Sequence, residues 1–283
     1  MKSTRRTRKM VEAALLIALS TILSVFKLAE LPYGGSITLA SMLPMVILSY
    51  RHGLSWGLGG GAVYAVLQQL LGLNHLSYFS TWQSVLAIIV LDYMLAFAAV
   101  GLGGVFRRPI KTQKWALACG VILVCAIRYT CHVISGATVW AGLSIPTGAA
   151  LLYSLGYNAT YMLPETIVTV LLACYLGALV DFRKEQPTRL VSERALSSKG
   201  RPLTAVAWLL ALCGVVTDVA LIFPHLQNAE SGEFDFSGLA VSRFAHSFWM
   251  PVAIVSAVCL AGIATVLWVR HRVLQKEAEK RQK

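Results

Sequence analysis

Residues 83–105, QSVLAIIVLDYMLAFAAVGLGGV, run the width of a bilayer with one charged side chain, Asp92. A helix rises about 1.5 Å per residue, so this stretch crosses a hydrocarbon core of roughly 30 Å. Apolar runs of comparable length recur along the chain. They predict spans at about 11–29, 37–50, 53–72, 83–105, 115–136 and 148–180, with two more near 203–223 and 244–269. The second is short, and the sixth is long enough to tilt or overhang. No stretch alternates as a membrane barrel strand does. With 57% of residues hydrophobic and 13% charged, a soluble domain is excluded. The expected fold is an all-α integral membrane protein, a six-helix bundle with two additional C-terminal transmembrane helices.

The break between the two groups is DFRKEQPTRLVSERALSSKGRP, residues 181–202, rich in charge and Ser and without an apolar face. The expected organisation is a six-helix unit over 1–182, a basic cytoplasmic linker over 183–202 and a two-helix extension over 203–283. Lys and Arg fix the orientation. With the N-terminus in the cytoplasm, every basic residue except Lys27, Arg128 and Arg243 falls on the cytoplasmic side. Both termini are therefore expected on the cytoplasmic side of the membrane. The net charge of +12 is accounted for by topology and contact with anionic lipid, and it calls for no nucleic acid. The first span follows a basic segment but is long and lacks a small-residue cleavage site, so it reads as a retained helix.

Chemistry for an enzyme is missing from the pattern. There is no GxxxxGK[ST], HExxH or GxSxG motif, and the six cysteines all fall inside predicted spans without a CxxC pair. The outer half of the bundle offers one clear histidine with no spaced metal partners, so no cofactor or metal is expected. Any ATP that drives this protein is hydrolysed by another subunit.

Polar groups inside spans are costly in lipid and mark function by default. Asp92 lies nine residues below Gln83, about 13 Å down the fourth span. Arg128 and His132 share one face of the fifth span, four residues apart. Tyr153, Tyr157, Asn158 and Tyr161 descend the first half of the sixth. All converge on the outer half of the membrane and suggest a pocket for a small aromatic or cationic solute. Asp92 would neutralise a buried positive charge. Trp140, Tyr153 and Tyr93 would stack on a ring, while His132 and Asn158 would meet heteroatoms. The plainer alternative is that Asp92 pairs with Arg128 and both are structural. Gly53, Gly57 and Gly61 repeat at four-residue spacing, which allows close helix packing. Ala14 and Ala18 form a small-residue face on the first helix that either packs internally or docks a membrane partner. Glu165 beside Pro164 reads as a kink-associated acid, and Asp218 as a paired acid in the seventh span. Glu230, Glu233 and Asp235 fall in a solvated outer loop.

Four stretches carry a resemblance: LPYGGSITLASMLPMVILSYRHGLSWGLGGG (31–61), LDYMLAFAAVGLGGVFRR (91–108), RYTCHVISGATVW (128–140) and YSLGYNATYM (153–162). In this order and spacing, the region from about residue 8 to 185 resembles the thiamine-specific substrate-binding (S) components of energy-coupling factor vitamin transporters. The resemblance implies a six-helix, non-enzymatic membrane subunit. Such a subunit captures thiamine near the outer face and docks through its first helix onto a transmembrane coupling protein driven by two cytoplasmic ATPases. It also implies that Asp92 meets the thiazolium charge and that His132, Tyr153 and Asn158 contact the aminopyrimidine. Trp140 would stack on the ligand, Tyr93 would line the site beside the acid, and Arg128 would stand next to the pocket. Two features depart from the family pattern. Gly35 and Leu39 stand where some members carry Trp and Glu. The loop NHLSYFSTWQ (74–83) is longer than in some relatives and leaves Tyr78 and Trp82 both as candidates for an aromatic contact. The competing functional reading is a stand-alone proton-coupled transporter with Asp92, Glu165 and Asp218 as its proton relay.

Overall fold

The computed structural model describes residues 2–31, 34–78, 81–142, 147–189, 200–222 and 246–282. Its principal helices are α1 (Lys2–Val25), α2 (Leu43–His52), α3 (Leu54–Leu71), α4 (Trp82–Arg107), α5 (Gln113–Gly142), α6 (Thr147–Leu179), α7 (Gly200–Ile222) and α8 (His246–Gln282). Among the described residues, five of them, α4 to α8, are long and apolar enough to cross a membrane. The chain divides into two compact units, Met1–Ala173 and Cys174–Lys283.

The first three helices differ from their expected spans for identifiable reasons. The cations Lys2, Arg5, Arg6, Arg8 and Lys9 occupy the first turns of α1 and shorten its apolar part. At its other end α1 stops at Val25, four residues before the expected boundary. Lys27–Glu30 (β1) instead pairs antiparallel with Ser36–Thr38 (β2). The intervening sequence is Pro- and Gly-rich, and Gly34 takes φ 97°, a conformation open to Gly and unfavourable to most residues. The hairpin consumes residues that helix periodicity alone assigns to the first and second spans. What remains for α2 is ten residues, about 15 Å of helix.

Short as it is, α2 forms the centre of the first unit. Leu43 through Arg51 are all buried, as expected of a helix apolar on every side. Met42, Met45, Val46, Leu48 and Tyr50 are fully enclosed by α1, α3, α4 and α5. Ser49, also fully buried, donates to the Gly101 carbonyl at 2.5 Å and accepts the Gly104 N–H at 3.0 Å, tying α2 to the tail of α4. Water cannot replace such bonds in a lipid-embedded core. At the same end Arg51 pairs with Glu12 of α1, and Arg107 donates to the Arg51 carbonyl at 2.8 Å.

The glycine repeat serves packing within this unit. Gly53 makes the turn between α2 and α3 at φ 92°, while Gly57 and Gly61 let α3 lie backbone to backbone on α4. A Cβ on Gly61 would sit 2.6 Å from the Ala98 carbonyl oxygen. Gly61→Ala is therefore expected to destabilise the unit by roughly 1–3 kcal/mol. The check is thermal unfolding of purified protein, where the midpoint should fall by several degrees. Ala14 and Ala18, by contrast, are exposed on α1.

In the second unit α7 and α8 pack together, with Gly214 against Cys259 and the Ser256 hydroxyl donating to Asp218 at 2.7 Å. The acid expected in the seventh span is thus paired across the helix hairpin. Residues 190–199 of the linker, and the loop carrying Glu230, Glu233, Asp235 and Arg243, lie outside the described residues.

Candidate functional site

The middle of α4, Ile88–Leu95, is π-helical. Such turns are rare and concentrate at functional sites, because the extra residue per turn breaks the ordinary side-chain register. Here the segment is IIVLDYML, and it brings Asp92 and Tyr93 to the wall of a cavity of about 490 Å3. From α5 come Arg128 and His132, one turn apart; from α6 come Tyr157, Asn158, Tyr161 and Glu165; the β1–β2 hairpin closes another side with Gly35 and Thr38.

Asp92 and His132 form the principal polar contact, with Nδ1 and Oδ1 2.9 Å apart. If Nδ1 carries the proton given to Asp92, the neutral ring presents Nε2 as an acceptor. That Nε2 is buried and has no hydrogen-bond partner. The site therefore offers a partly exposed carboxylate with capacity to spare, oriented by the histidine beside it. The alternative Asp92–Arg128 ion pair is not formed. The Arg128 guanidinium lies over the Phe97 ring, 4.5 Å from its centroid, and donates to Met42 Sδ at 2.6 Å. A cation over an aromatic face is stabilised by the ring quadrupole. Its Nε is buried without a partner.

Tyr153, Tyr157 and Tyr161 form a ladder along α6 at helical spacing. Tyr153 and Tyr157 stack at 6.2 Å, Tyr157 and Tyr161 meet edge to face at 5.8 Å, and Tyr161 lies 6.3 Å from the His132 ring. Asn158 is engaged by protein on both ends of its amide. It donates to the Ser154 carbonyl at 2.8 Å and accepts from the Tyr161 hydroxyl at 2.5 Å. Its place on the cavity wall thus comes with a structural duty, fixing the Tyr161 ring.

Of the residues singled out from sequence, Asp92, Tyr93, Arg128, His132 and Asn158 are brought together on this wall. Tyr153 stands one turn away, behind Tyr157. Trp82 is 71% exposed and does not reach the cavity. The side chains of Tyr78 and Trp140 lie outside the described residues. Sequence reasoning undervalued Glu165. It is 2% exposed, lines the cavity, and accepts from the Thr38 N–H at 2.5 Å and the Thr38 hydroxyl at 2.7 Å. Its burial cost in an apolar span is the clue that sequence offers; its partner, 127 residues away, is not. Phe97 and Gly35 also went unassigned. Gly35 donates its N–H to the Tyr157 hydroxyl at 3.1 Å, and a Cβ there would come within 2.8 Å of that same oxygen. A Trp at this position, as some relatives carry, does not fit this packing. Leu39, at the other departure, is 38% exposed and away from the cavity.

Residues 10–182 match the model of the thiamine transporter protein family (Thia_YuaJ). The chain belongs to this family. It is 31% identical over 188 residues to the thiamine transporter ThiT of Bacillus subtilis, covering 62% of this chain and 93% of that one. Identity to ThiT of Lacticaseibacillus paracasei is 29% over 153 residues, 50% of this chain and 69% of the relative. The solved structure of ThiT from Listeria monocytogenes superposes with a TM-score of 0.50 at 22% identity, covering 61% of this chain and 94% of that one, and shows the same fold. This thiamine transporter family member is accordingly a multi-pass membrane protein of a non-enzymatic transporter family. Every described cavity-lining residue lies within the family match. The α7–α8 hairpin lies beyond it.

Proposed function

We propose that the chain captures thiamine from outside the cell and holds it in the cavity between α4, α5, α6 and the hairpin. Residues 1–182 would act as the binding unit, 183–202 as a cytoplasmic linker and 203–283 as a membrane extension of separate role. The observation that carries this reading is the Asp92–His132 pair on the wall of a cavity that Tyr93, Phe97, Tyr157 and Tyr161 line with rings. Thiamine combines a permanently charged thiazolium with a flat aminopyrimidine. Asp92 neutralises the first, Tyr93 and Trp140 supply ring contact, and the His132 ring contacts the aminopyrimidine. Arg128 and the tyrosine ladder fix the shape of the far wall. Such a site binds without transforming its ligand, and the low dielectric strengthens each polar contact.

In this reading the energy for transport against a gradient comes from partners. The reading assigns that task to an energy-coupling factor module, a transmembrane protein with two cytoplasmic ATPases. The exposed Ala14 and Ala18 of α1 supply a docking face, and both termini lie in the cytoplasm of a bacterial plasma membrane. Reconstitution tests this division of labour. Proteoliposomes holding the chain alone should bind labelled thiamine without accumulating it, and accumulation should appear only with the coupling proteins and ATP. Uptake by the chain alone that collapses with the proton gradient would replace this reading with proton-coupled transport.

A further inference from the structure

At the end of the bundle opposite the hairpin, Arg5, Arg6 and Lys9 of α1 share a groove of about 450 Å3 with Ser55 and Trp56 of α3. Arg5 and Lys9 are one turn apart and lie on one face. Among the described residues no acidic side chain lines the groove, and Glu12, the one acid of α1, is already paired with Arg51. The opposing wall is the first turn of α3, an 18-residue helix that starts after Gly53 with no side-chain cap. Its leading N–H groups therefore face outward with the positive end of the helix dipole. Three cations, a hydroxyl and an uncapped helix start are the donors that a phosphate oxygen requires.

The surroundings tell which phosphate. Immediately beyond Lys9 the exposed side chains of α1 become apolar, beginning with Met10 and Val11, and on α3 Leu54 and Leu58 are exposed likewise. The groove thus sits where the helix surface changes from basic to lipid-compatible, with Trp56 at that level, as interfacial Trp residues commonly are. We infer that this groove is a binding site for the headgroup of an anionic phospholipid, its phosphate held by Arg5, Arg6, Lys9 and Ser55 and its acyl chains lying along the exposed apolar side chains below. This is independent of what occupies the Asp92 cavity.

The test uses full-length protein in neutral detergent, titrated with dioctanoyl-phosphatidylglycerol and, separately, with dioctanoyl-phosphatidylcholine. Binding is read from lipid adducts in native mass spectrometry and from the thermal midpoint. Phosphatidylglycerol should saturate one site at least about tenfold more tightly than phosphatidylcholine and raise the midpoint. Ser55→Asp places a carboxylate in the groove at a position where helices favour acids, so it should fold normally and weaken phosphatidylglycerol about tenfold. The pair Arg5→Gln and Lys9→Gln should do the same and decides the matter if the first variant unfolds. Equal affinity for the two lipids, or no loss in either variant, would overturn the assignment. Displacement by equimolar inorganic phosphate would overturn it too, since the site would then hold a free anion.

Discussion

Asp92→Asn is expected to lower thiamine affinity by about a hundredfold or more. The substitution keeps the size of the side chain and an oxygen for His132, and removes only the charge. Two unit charges 4 Å apart at the rim of a protein interior attract by about 4 kcal/mol at an effective dielectric near 20. Truncating one member of a desolvated charge pair commonly costs 2–5 kcal/mol. The thiazolium cation should feel most of that loss. A thiamine analogue with a neutral thiophene in place of thiazolium supplies the control, because its affinity should change less than about threefold on the same substitution. Isothermal titration of both ligands against both proteins reads the effect. Equal losses for the two would mean that Asp92 acts by holding His132 and not by meeting the cation.

The second large effect is expected at Glu165. Its carboxylate accepts both the backbone N–H and the hydroxyl of Thr38, and it is almost fully buried. Thr38 ends β2, so Glu165 fastens the hairpin and the start of α2 to the centre of α6. Glu165→Ala leaves the buried Thr38 N–H unpaired, at about 1–3 kcal/mol, while the Thr38 hydroxyl keeps the Ser41 hydroxyl as a partner at 2.8 Å. The thermal midpoint should fall by roughly 2–10 °C, given a few degrees per kcal/mol for a unit of this size. Thr38→Val should produce a smaller loss, and the double variant Glu165→Ala with Thr38→Val should lose less than the sum of the single changes. Because the hairpin is a wall of the cavity, thiamine should also dissociate faster from each. An unchanged midpoint in Glu165→Ala would remove the fastening role.

These two acids also mark what a sequence discloses and what it does not. Asp92 and His132 stand out because polar groups in apolar runs are costly, and helical spacing places Arg128 and His132 on one face before any coordinates exist. The π-helical segment that turns Asp92 and Tyr93 to the cavity leaves no trace in a 3.6-residue pattern. Pairing of Glu165 with Thr38 joins residues far apart in the chain, and periodicity is blind to such contacts. Tyr153 illustrates a finer limit. It shares the helix face of Tyr157 and Tyr161, but depth along α6 decides which rings reach the cavity, and Tyr153 lies one turn short. The β1–β2 hairpin was half legible, since PYGG announces a turn, while the flanking apolar residues read equally well as the ends of two helices.

The most direct test of the central claim is a titration of detergent-purified protein with thiamine, following intrinsic tryptophan fluorescence, with riboflavin and biotin as controls. Saturable quenching at submicromolar thiamine, one ligand per chain, with neither control competing, is the expected result. Folded protein that gives no response to thiamine would contradict it.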